Sequence, residues 1–403
     1  MHIAHCLPRF IPLEGGTERA VLDLSKELVD LGHQVSVLTY NCEDRTPVSP
    51  ISRAGLPPHE FIDGIEVFRF SHTFLGPGCH FSLPLSRHLL KLRPDIIHLQ
   101  GFFHVIGVFL NGLCGKMMKT PVILTTHGLH ETWSVLSGSP SMVRIPASLL
   151  VRLAIRNVDE IVNLSSGGKD ILLRLGAEPA AIHYLPNGVD LSRFGTRTRK
   201  DVGIGSICEK YGSSNENTVL CVCRIARNKG LDNLIVAAAH VLSEFRDAIF
   251  LIVGGTEDEG YKTELLELIR RMAIQKNVVF TGHLSDEDLL GLYKSSKIFL
   301  LPSTMETLPL VIFEAMAAGC CVVATAVGGV ADVIKDGGNG MLVRPGNPDE
   351  IANCVITLMR NPKLRGSLSR EARRTVEGFS WHEVARKTLE IYDEALRAKD
   401  REC

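Results

Sequence analysis

Short apolar runs alternate with amphipathic stretches along almost the whole chain. The apolar runs predict two series of strands, and the stretches between them follow the period of helices. The first series covers residues 2–7, 34–40, 95–100, 121–127 and 160–165, and the second covers residues 218–223, 248–255, 277–283, 297–303 and 321–327. Clear helical patterns cover residues 18–32 and 231–245. Repeated strand–helix alternation is typical of parallel sheets with helices on both faces.

The two series are separated by residues 185–218, which lack a long periodicity and are rich in glycine, serine and charged residues. We therefore predict two α/β domains of the doubly wound, Rossmann-like type, at residues 1–190 and 191–378. Their strand ends are expected to face a shared cleft that holds the ligand. The terminal segment, residues 379–403, is predicted to be one amphipathic helix, whose buried stripe holds Trp381, Val384, Leu389 and Tyr392.

Composition excludes several classes of protein. The chain has 403 residues, 45% of them apolar, and a net charge of −1, so it has material for a full core and no bulk attraction for nucleic acid. Its eleven cysteines form no CxxC pair and no zinc-type spacing, which is typical of reduced thiols in a cytoplasmic protein. No apolar run reaches the ~18–20 residues of a membrane span, and the first residues lack a signal-peptide pattern.

The charge is unevenly distributed along the chain. Residues 80–156 contain eight basic and two acidic residues, a net charge of +6. Within them, residues 84–94 and 142–157 mix cations with long apolar side chains. One interpretation is a solvated helix face above a core, and the other is a basic amphipathic surface that meets an anionic membrane. The second interpretation predicts a peripheral protein at the inner face of the membrane, with a lipid-linked or otherwise anionic acceptor.

Two glutamates, Glu306 and Glu314, stand in an otherwise apolar stretch with seven residues between them. A predicted strand ends at Pro302, and a predicted helix has Pro309 in its first turn and Gly319 at its end. Glu306 therefore lies in the loop before the helix, and Glu314 lies inside the helix. A carboxylate that faces a core needs a partner. The pair fits a general acid and base, a metal site, a sugar-binding pair or ordinary helix-end charges.

A second group of residues indicates a phosphate site. Backbone N–H groups around Thr307 and Leu308 would point outward at the start of the predicted helix, where phosphate or sugar hydroxyls are favoured. Arg224 and Lys229 lie five residues apart in the loop after the first strand of the second series. Two cations above strand ends suit a diphosphate, although solvated surface charges show the same pattern.

The first domain holds further candidate ligand contacts. Gly15 and Gly16 precede the first helix, where they either let a ligand approach the backbone or form a plain turn. His127 follows a predicted strand, a position suited either to substrate contact or to a structural histidine. His98 and His104 flank another strand end and are interpreted as structural, with contact to an acceptor as the alternative.

Taken in order, these segments resemble the retaining GT-B glycosyltransferases of family four, the glycogen-synthase-like glycosyl transferases group 1. Glu306 and Glu314 match the E-x7-E signature of that family, and the resemblance covers nearly the whole chain. The matching segments are GGTER at 15–19, TTHG at 125–128, LPNGVD at 185–190, CRIARNKG at 223–230, VGG at 253–255, FTGHL at 280–284 and FSWHEVA at 379–385.

The resemblance implies a reaction and its participants. A sugar would move from a nucleotide-diphosphate sugar to a hydroxyl acceptor, such as a glycolipid, a lipid-linked glycan or a polysaccharide, with retention at the anomeric carbon. Members of this fold work without a bound metal, and no cofactor is implied. The terminal helix of the family crosses back to the first domain.

The resemblance also implies roles for individual residues. Arg224 and Lys229 would bind the donor's diphosphate, Glu314 would bind the ribose hydroxyls, and Glu306 would bind the transferred sugar. His127 would contact the sugar. The implied catalytic residues are therefore Glu306, Arg224, Lys229 and His127. The implied donor contacts are Gly15, Gly16, Arg224, Lys229, His283, Leu284, Glu306, Thr307, Leu308 and Glu314.

Two departures from the family pattern and several alternatives stay open. Thr307 and Leu308 stand where many members have Gly-Phe, which leaves the sugar preference open, and Cys321 stands where many have proline. A sugar-nucleotide epimerase or a phosphorylase-like enzyme would share the architecture, and a non-catalytic sugar-nucleotide-binding protein is a further alternative. A nicotinamide oxidoreductase fits the sheets but lacks the GxGxxG fingerprint.

Overall fold

A computed structural model describes residues 1–12, 15–42, 55–74, 80–102, 104–138, 141–195, 210–211 and 216–402. The chain divides into two compact units, each with its own sheet. The first unit comprises Met1–Gly188 and Trp381–Cys403, and the second comprises Val189–Ser380. Part of the segment predicted to separate the two domains lies outside the described residues.

The first unit is built on an eight-stranded sheet in the order β10-β9-β8-β7-β1-β2-β4-β3. All neighbouring strands are parallel except β3 and β4, which are antiparallel. Its strands, together with the separate hairpin β5-β6, are β1 His2–Cys6, β2 Gln34–Tyr40, β3 His59–Ile62, β4 Ile65–Phe70, β5 Thr73–Phe74, β6 His80–Phe81, β7 Ile96–Gln100, β8 Val122–Thr125, β9 Glu160–Asn163 and β10 Ile182–Tyr184.

Helices connect these strands, as parallel pairing requires. They are α1 Gly16–Asp30, α2 Leu83–Leu92, α3 Val105–Met118, α4 Leu129–Gly138, α5 Ser141–Ile155 and α6 Gly168–Arg174. All five residues of β7 are buried, a pattern typical of a strand covered by helices on both faces. Strand order reverses between β1 and β7, because β2 lies on one side of β1 and the strands β7 to β10 lie on the other.

The second unit has a six-stranded, wholly parallel sheet in the order β13-β12-β11-β14-β15-β16. Its strands are β11 Thr218–Val222, β12 Ile249–Val253, β13 Val278–Gly282, β14 Ile298–Leu301, β15 Cys321–Thr325 and β16 Met341–Val343. Its helices are α7 Leu231–Glu244, α8 Glu259–Arg271, α9 Asp286–Ser295, α10 Leu310–Ala318, α11 Val330–Val333, α12 Pro348–Arg360 and α13 Pro362–Glu377. The strand order reverses between β11 and β14.

The last helix, α14 (Trp381–Glu402), belongs to the first unit and packs against α1. A Cβ atom on Gly188 would overlap the ring and backbone of Trp381, so glycine is required where the chain passes this helix. The hydroxyl of Tyr392 lies 2.6 Å from Nδ1 of the buried His98. The buried stripe differs from the prediction in two ways. Leu389 is only half-buried, and the stripe has more members than predicted: Trp381, Val384, Ala385, Thr388, Ile391, Tyr392 and Ala395 are buried.

The prediction of two Rossmann-like α/β domains is confirmed, and the differences are at element ends and in several strands that were missed. Several predicted strands extended past the last paired residue into loops; for example, residues 302–303 follow the end of β14. The pair β3 and β4 was missed, because their residues alternate between more and less buried positions and form no continuous apolar run. The strands β10 and β16, three residues each, were too short to detect.

The described residues also bear on cysteine pairing, membrane spans and metal sites. The eight cysteines that it includes are free thiols, most of them buried. Within these residues, no helix has the length and apolar character needed to cross a membrane. Nor does this part bring together three or more histidine, cysteine or acidic side chains in an arrangement that could hold a metal ion.

Candidate active site

The strongest candidate site lies in the second unit, where the strand order reverses between β11 and β14. Crevices at such reversal points, outside the carboxyl ends of the strands, are where open α/β sheets bind ligands. The loop after β11 carries Arg224 and Lys229, and the loop after β14 carries Glu306. Adjacent pairing of β11 with β14 therefore brings together residues that lie far apart in sequence.

A buried ion pair joins these two loops. Lys229 Nζ donates to Glu306 Oε1 at 2.7 Å, and the two side chains are only 12% and 8% exposed. The hydroxyl of Ser303 donates to the same carboxylate oxygen at 2.7 Å. The carboxylate thus has two partners in the place where an isolated charge would be costly. Glu306 is held by side chains from both loops rather than serving as a helix-end charge.

Backbone contacts also join the loops after β11 and β14 beside this ion pair. Gly230 has a φ of +62°, and a Cβ at this position would overlap the carbonyl group of Pro302. The backbone N–H of Thr304 donates to the carbonyl of Asn228 at 2.9 Å. Lys229 lies in a 3₁₀ turn, residues 227–229, that ends at this glycine. The left-handed glycine therefore allows the lysine turn to lie directly against the glutamate loop.

A third loop, which follows β15, also reaches Glu306. Gly328 has a φ of +52°, and a Cβ there would overlap the carbonyl group of Glu306. The N–H of Gly329 donates to the carbonyl of Thr307 at 2.7 Å. This glycine pair was not predicted as part of the site, although its position, starting three residues after a buried strand, was a usable signal.

Thr307 and Leu308 are buried, and α10 begins two residues after Leu308. Pro309 is the N-cap residue in an extended conformation, not a first-turn residue as predicted. The helix ends at Gly319, which has a φ of +85°, as its sequence indicated.

Glu314 is half-buried in the middle of α10 and has a different partner from Glu306. Tyr293, at the end of α9, donates its hydroxyl hydrogen to Glu314 Oε2 at 2.9 Å. Burial and the neighbouring carboxylate raise the pKa of Tyr293 well above its ordinary value, so this phenol remains a hydrogen-bond donor. The two glutamates are held separately, one by a cation and a serine and the other by a tyrosine.

Arg224 lies in the same loop as Lys229, and its side chain is 50% exposed. Its guanidinium forms an ion pair with Glu257, which lies in the loop after β12. A Cβ on Gly254 would overlap the carbonyl group of Cys223, so glycine lets these two loops approach each other. Glu257 was missed in the sequence because a single acid before a helix has no distinctive pattern.

His283 and Leu284 follow β13, at the carboxyl edge of the same sheet. His283 is exposed and Leu284 is half-buried. Apart from Glu314, which lies inside α10, the predicted donor contacts of the second unit follow strands at the carboxyl edge of its sheet. Whether these two residues read a base stays a prediction.

In the first unit, Gly15 and Gly16 lie at the start of α1, after β1. A Cβ on Gly15 would overlap the buried carboxylate of Glu18, which is also 3.3 Å from Arg9 Nε. Among the described residues, no atom beyond the adjoining residues lies within 4 Å of the position that a Cβ on Gly16 would take. A side chain at position 15 would have to displace the Glu18 carboxylate, whereas the described residues leave space for a ligand beside Gly16.

His127 follows β8 and is buried together with neighbouring polar residues. Burial lowers the pKa of its imidazole to about 4, so the side chain is neutral near pH 7. It lines a pocket of the first unit with His98, Gln100 and Thr125, and with Trp381 from the last helix. This arrangement provides neutral hydrogen-bonding groups rather than a charged acid.

Three other histidines of this unit, His5, His98 and His104, are also buried. His98 is held at Nδ1 by the hydroxyl of Tyr392 and at Nε2 by Thr125 Oγ1, 2.7 Å away. Its ring lies 5.0 Å from that of His5, which contacts the Gln100 side chain at 3.0 Å. His104 is the N-cap residue of α3 and is buried.

Comparison with known proteins gives consistent matches over the chain. Residues 14–193 match the model of Glycosyltransferase Family 4, and residues 206–375 match that of Glycosyl transferases group 1. An uncharacterized glycosyltransferase of Methanocaldococcus jannaschii is 26% identical, over 98% of this chain and 97% of that protein. A D-inositol 3-phosphate glycosyltransferase of Kribbella flavida is 26% identical, over 94% and 90% respectively.

Among solved structures, HepE of Anabaena in complex with UDP-glucose has the same fold. Its TM-score is 0.76 at 20% identity, with 98% of this chain and 100% of that chain covered.

Two Rossmann-like units, one with cations and glutamates gathered at its strand-order reversal, define a glycosyltransferase of the GT-B class. The two matched models together cover both units of the chain. The chain belongs to the group 1 glycosyl transferases.

The buried histidines predict acid sensitivity of the first unit. Burial lowers the pKa values of His5 and His104 to about 3 and of His127 to about 4, from 6.5. The unfolded chain therefore binds more protons between pH 6.5 and about 4, and stability falls as pH decreases through that window. The slope is at most about 1.4 kcal/mol per pH unit for each histidine. Unfolding midpoints measured from pH 7.5 to 5 should show this loss.

A matched pair of variants locates the effect. His127→Gln should flatten the pH dependence of the midpoint, whatever it does to the absolute stability. His240→Gln, at a half-exposed position of the second unit, should leave the slope unchanged. Equal midpoints at pH 7 and pH 5 in the unchanged protein would contradict the prediction.

Proposed function

We propose that this glycosyltransferase moves a sugar from a nucleotide-diphosphate sugar to the hydroxyl group of an acceptor, with retention at the anomeric carbon. The observation that carries the proposal is the buried Lys229–Glu306 pair at the strand-order reversal of the second unit. The fold shared with HepE, solved with UDP-glucose, supports a sugar nucleotide as donor. The E-x7-E resemblance supports retention.

The leaving group of such a donor is a diphosphate, whose negative charge grows as the sugar departs. Lys229 has three N–H donors and uses one for Glu306, so two remain for phosphate oxygens. The half-exposed guanidinium of Arg224 supplies further donors beside Glu257. Preorganised cations of this kind stabilise the transition state more than the ground state, which is the requirement for catalysis.

Glu306 is assigned to the hydroxyls of the transferred sugar. Its carboxylate keeps a fixed direction because Lys229 and Ser303 both donate to Oε1. Neither contact occupies Oε2, and a carboxylate oxygen accepts hydrogen bonds from sugar hydroxyls. The nearby backbone of Thr307 and Leu308 belongs to the same loop and completes the proposed sugar contacts.

Glu314 is assigned to the ribose hydroxyls of the nucleotide. Tyr293 orients its carboxylate through one oxygen, and the half-buried position leaves the side chain partly accessible. His283 and Leu284 are assigned to the base, at the same edge of the sheet. Residues at a rigid sheet edge are suited to positioning a donor before reaction.

The reaction needs no general acid in this scheme. The bond between the anomeric carbon and the phosphate oxygen breaks, and its electron pair goes to the diphosphate. The acceptor oxygen supplies the electron pair of the new bond, and its proton passes to the departing diphosphate. The two glutamates therefore hold substrate instead of exchanging protons, and Arg224 with Lys229 meets the charge without a metal ion.

The first unit contributes proposed contacts of its own. The open space at Gly16 suits close approach of a phosphate to backbone N–H groups at the start of α1. His127, neutral near pH 7, suits a hydrogen bond to a sugar hydroxyl. An epimerase or a non-catalytic sugar-nucleotide-binding protein remains the alternative, and turnover distinguishes the three.

The first test is product formation from a panel of UDP- and GDP-sugars with mixed hydroxyl acceptors. We expect release of free nucleoside diphosphate and a glycoside with the donor's anomeric configuration by NMR. The rate should persist in excess chelator, because the cations meet the leaving-group charge. Epimerised donor, or binding without turnover, would favour the alternatives, and rescue of a chelated enzyme by magnesium or manganese would contradict the metal-free scheme.

The second test addresses the cations. Arg224→Ala and Lys229→Ala should each lower kcat by about 100-fold or more, because each removes charge stabilisation from the leaving diphosphate. Arg227→Ala is the matched control: Arg227 lies in the same loop but pairs with the exposed Glu264. Near-normal turnover in either site variant, with an intact fold by circular dichroism, would overturn the assignment.

The third test separates the glutamates. Glu314→Gln should mainly weaken nucleoside diphosphate binding, since it removes the charged acceptor for ribose hydroxyls. Glu306→Gln should mainly lower kcat, since it loosens the sugar contact and the Lys229 pair. Isothermal titration with nucleoside diphosphate, beside kcat, measures both, with the exposed Glu287→Gln as control. Loss of nucleotide affinity in Glu306→Gln alone would mean that the roles are reversed.

A further inference from the structure

We propose that one surface of the first unit docks on an anionic lipid bilayer. The surface consists of the outer sides of α3 and α5 together with the residue that follows each helix, and we refer to it as the basic apolar face. Its apolar members are Leu113, Met117, Ile145, Leu149 and Leu153, and its cationic members are Lys116, Lys119, Arg144, Arg152 and Arg156.

Three apolar residues of α5 form a stripe that is exposed to solvent. Ile145, Leu149 and Leu153 follow one another at intervals of four residues, so they share one side of the helix. They are 67%, 58% and 38% exposed, while Val151 and Ala154 on the opposite side are buried in the core. The helix therefore has two apolar sides, and the core accounts for only one.

The neighbouring helix extends the same surface. Leu113 and Met117 of α3 are also four residues apart, and they are 40% and 68% exposed. The helices α3 and α5 pack against each other, and Lys116 Nζ donates to the Arg156 carbonyl at 2.6 Å. Across the described residues twelve large apolar side chains are exposed, and five of them belong to this pair of helices. Such a concentration is unlike the scattered apolar residues of an ordinary solvated face.

The charges on the basic apolar face all have the same sign. Its five cations are exposed, and neither the sequence of α3 nor that of α5 contains an acidic residue. Arg152 donates to the carbonyl of Arg174 at 2.9 Å, a contact that leaves its positive charge uncompensated by a carboxylate. Cations at the edge of an apolar stripe can reach lipid phosphates while the aliphatic side chains enter the acyl boundary.

The chemistry favours a bilayer over a protein partner. Protein interfaces depend on anchors that are mostly tryptophan, tyrosine and arginine in pockets. In the described part of α3 and α5, the exposed apolar side chains are leucine, isoleucine and methionine, and no aromatic ring is among the exposed ones. Aliphatic residues between long cations match the headgroup and acyl layers of an anionic membrane, where each cation strengthens binding by about fivefold.

Membrane docking would bring a lipid-linked acceptor to the enzyme, and this consequence rests on the proposed function. Docking itself does not, because it is measured without substrate. Vesicle binding without sugar transfer would support docking and contradict the proposed reaction. Sugar transfer without vesicle binding would support the reaction and contradict docking.

Co-sedimentation with vesicles tests the proposal. At low salt the protein should bind vesicles that contain phosphatidylglycerol and not those of phosphatidylcholine alone, and added salt should release it. Joint substitution of Arg144, Arg152 and Arg156 by Gln should weaken binding by about 100-fold. The matched control replaces Arg386, Lys387 and Arg397 of α14 by Gln, the same change of charge at exposed positions, and should bind like the unchanged protein.

A second measurement tests insertion at this surface. Leu149→Trp should show a blue-shifted emission with anionic vesicles and quenching by brominated acyl chains. Absence from both vesicle types at low salt would overturn the proposal, as would an equal loss of binding in the α14 control. Binding without quenching at position 149 would assign the membrane contact to another surface and overturn it as well.

Discussion

The ion pair between Lys229 and Glu306 is the constraint on which the candidate site of the second unit depends. Both side chains are almost wholly buried, and two charges in such a place are costly unless each is compensated. Ser303 supplies the extra donor that the carboxylate needs. Removing one partner would leave the other as an unpaired buried charge, so this ion pair couples the loops after β11 and β14 in addition to their backbone contacts. Gly230 and Gly328 make that contact possible, because neither position has room for a side chain.

The fold was largely predictable because its strands are buried on both faces. A strand such as β15, with all five residues buried, produces an apolar run that stands out from the helices around it. The edge pair β3–β4 gave no such run, since Phe61 is 68% exposed and its neighbours alternate. Sheet-edge strands depend on pairing partners more than on their own composition, and for that reason sequence pattern alone did not reveal them.

The sequence positions of the candidate site residues were predictable, whereas the side chains that pair with them were not. Arg224, Lys229 and Glu306 each follow a strand, and strand ends are visible in the sequence. Glu257, which pairs with Arg224, and Tyr293, which holds Glu314, lie in other strand–helix units, and only the folded sheet brings them near. Likewise, no local pattern links His98 to Tyr392, although the side chains are hydrogen-bonded across 294 positions of sequence.

The membership of α14 in the first unit has a consequence for synthesis on the ribosome. All residues of the second unit, Val189–Ser380, are translated before α14 is available. Until then the first unit lacks Trp381 and Tyr392, so α1 has no helix to pack against and His98 has lost a partner. The first unit of the nascent chain therefore has part of its core uncovered until the second unit has been translated. A chain that ends before α14 would contain a complete second unit and an incomplete first unit, which is the kind of product that cellular quality control removes.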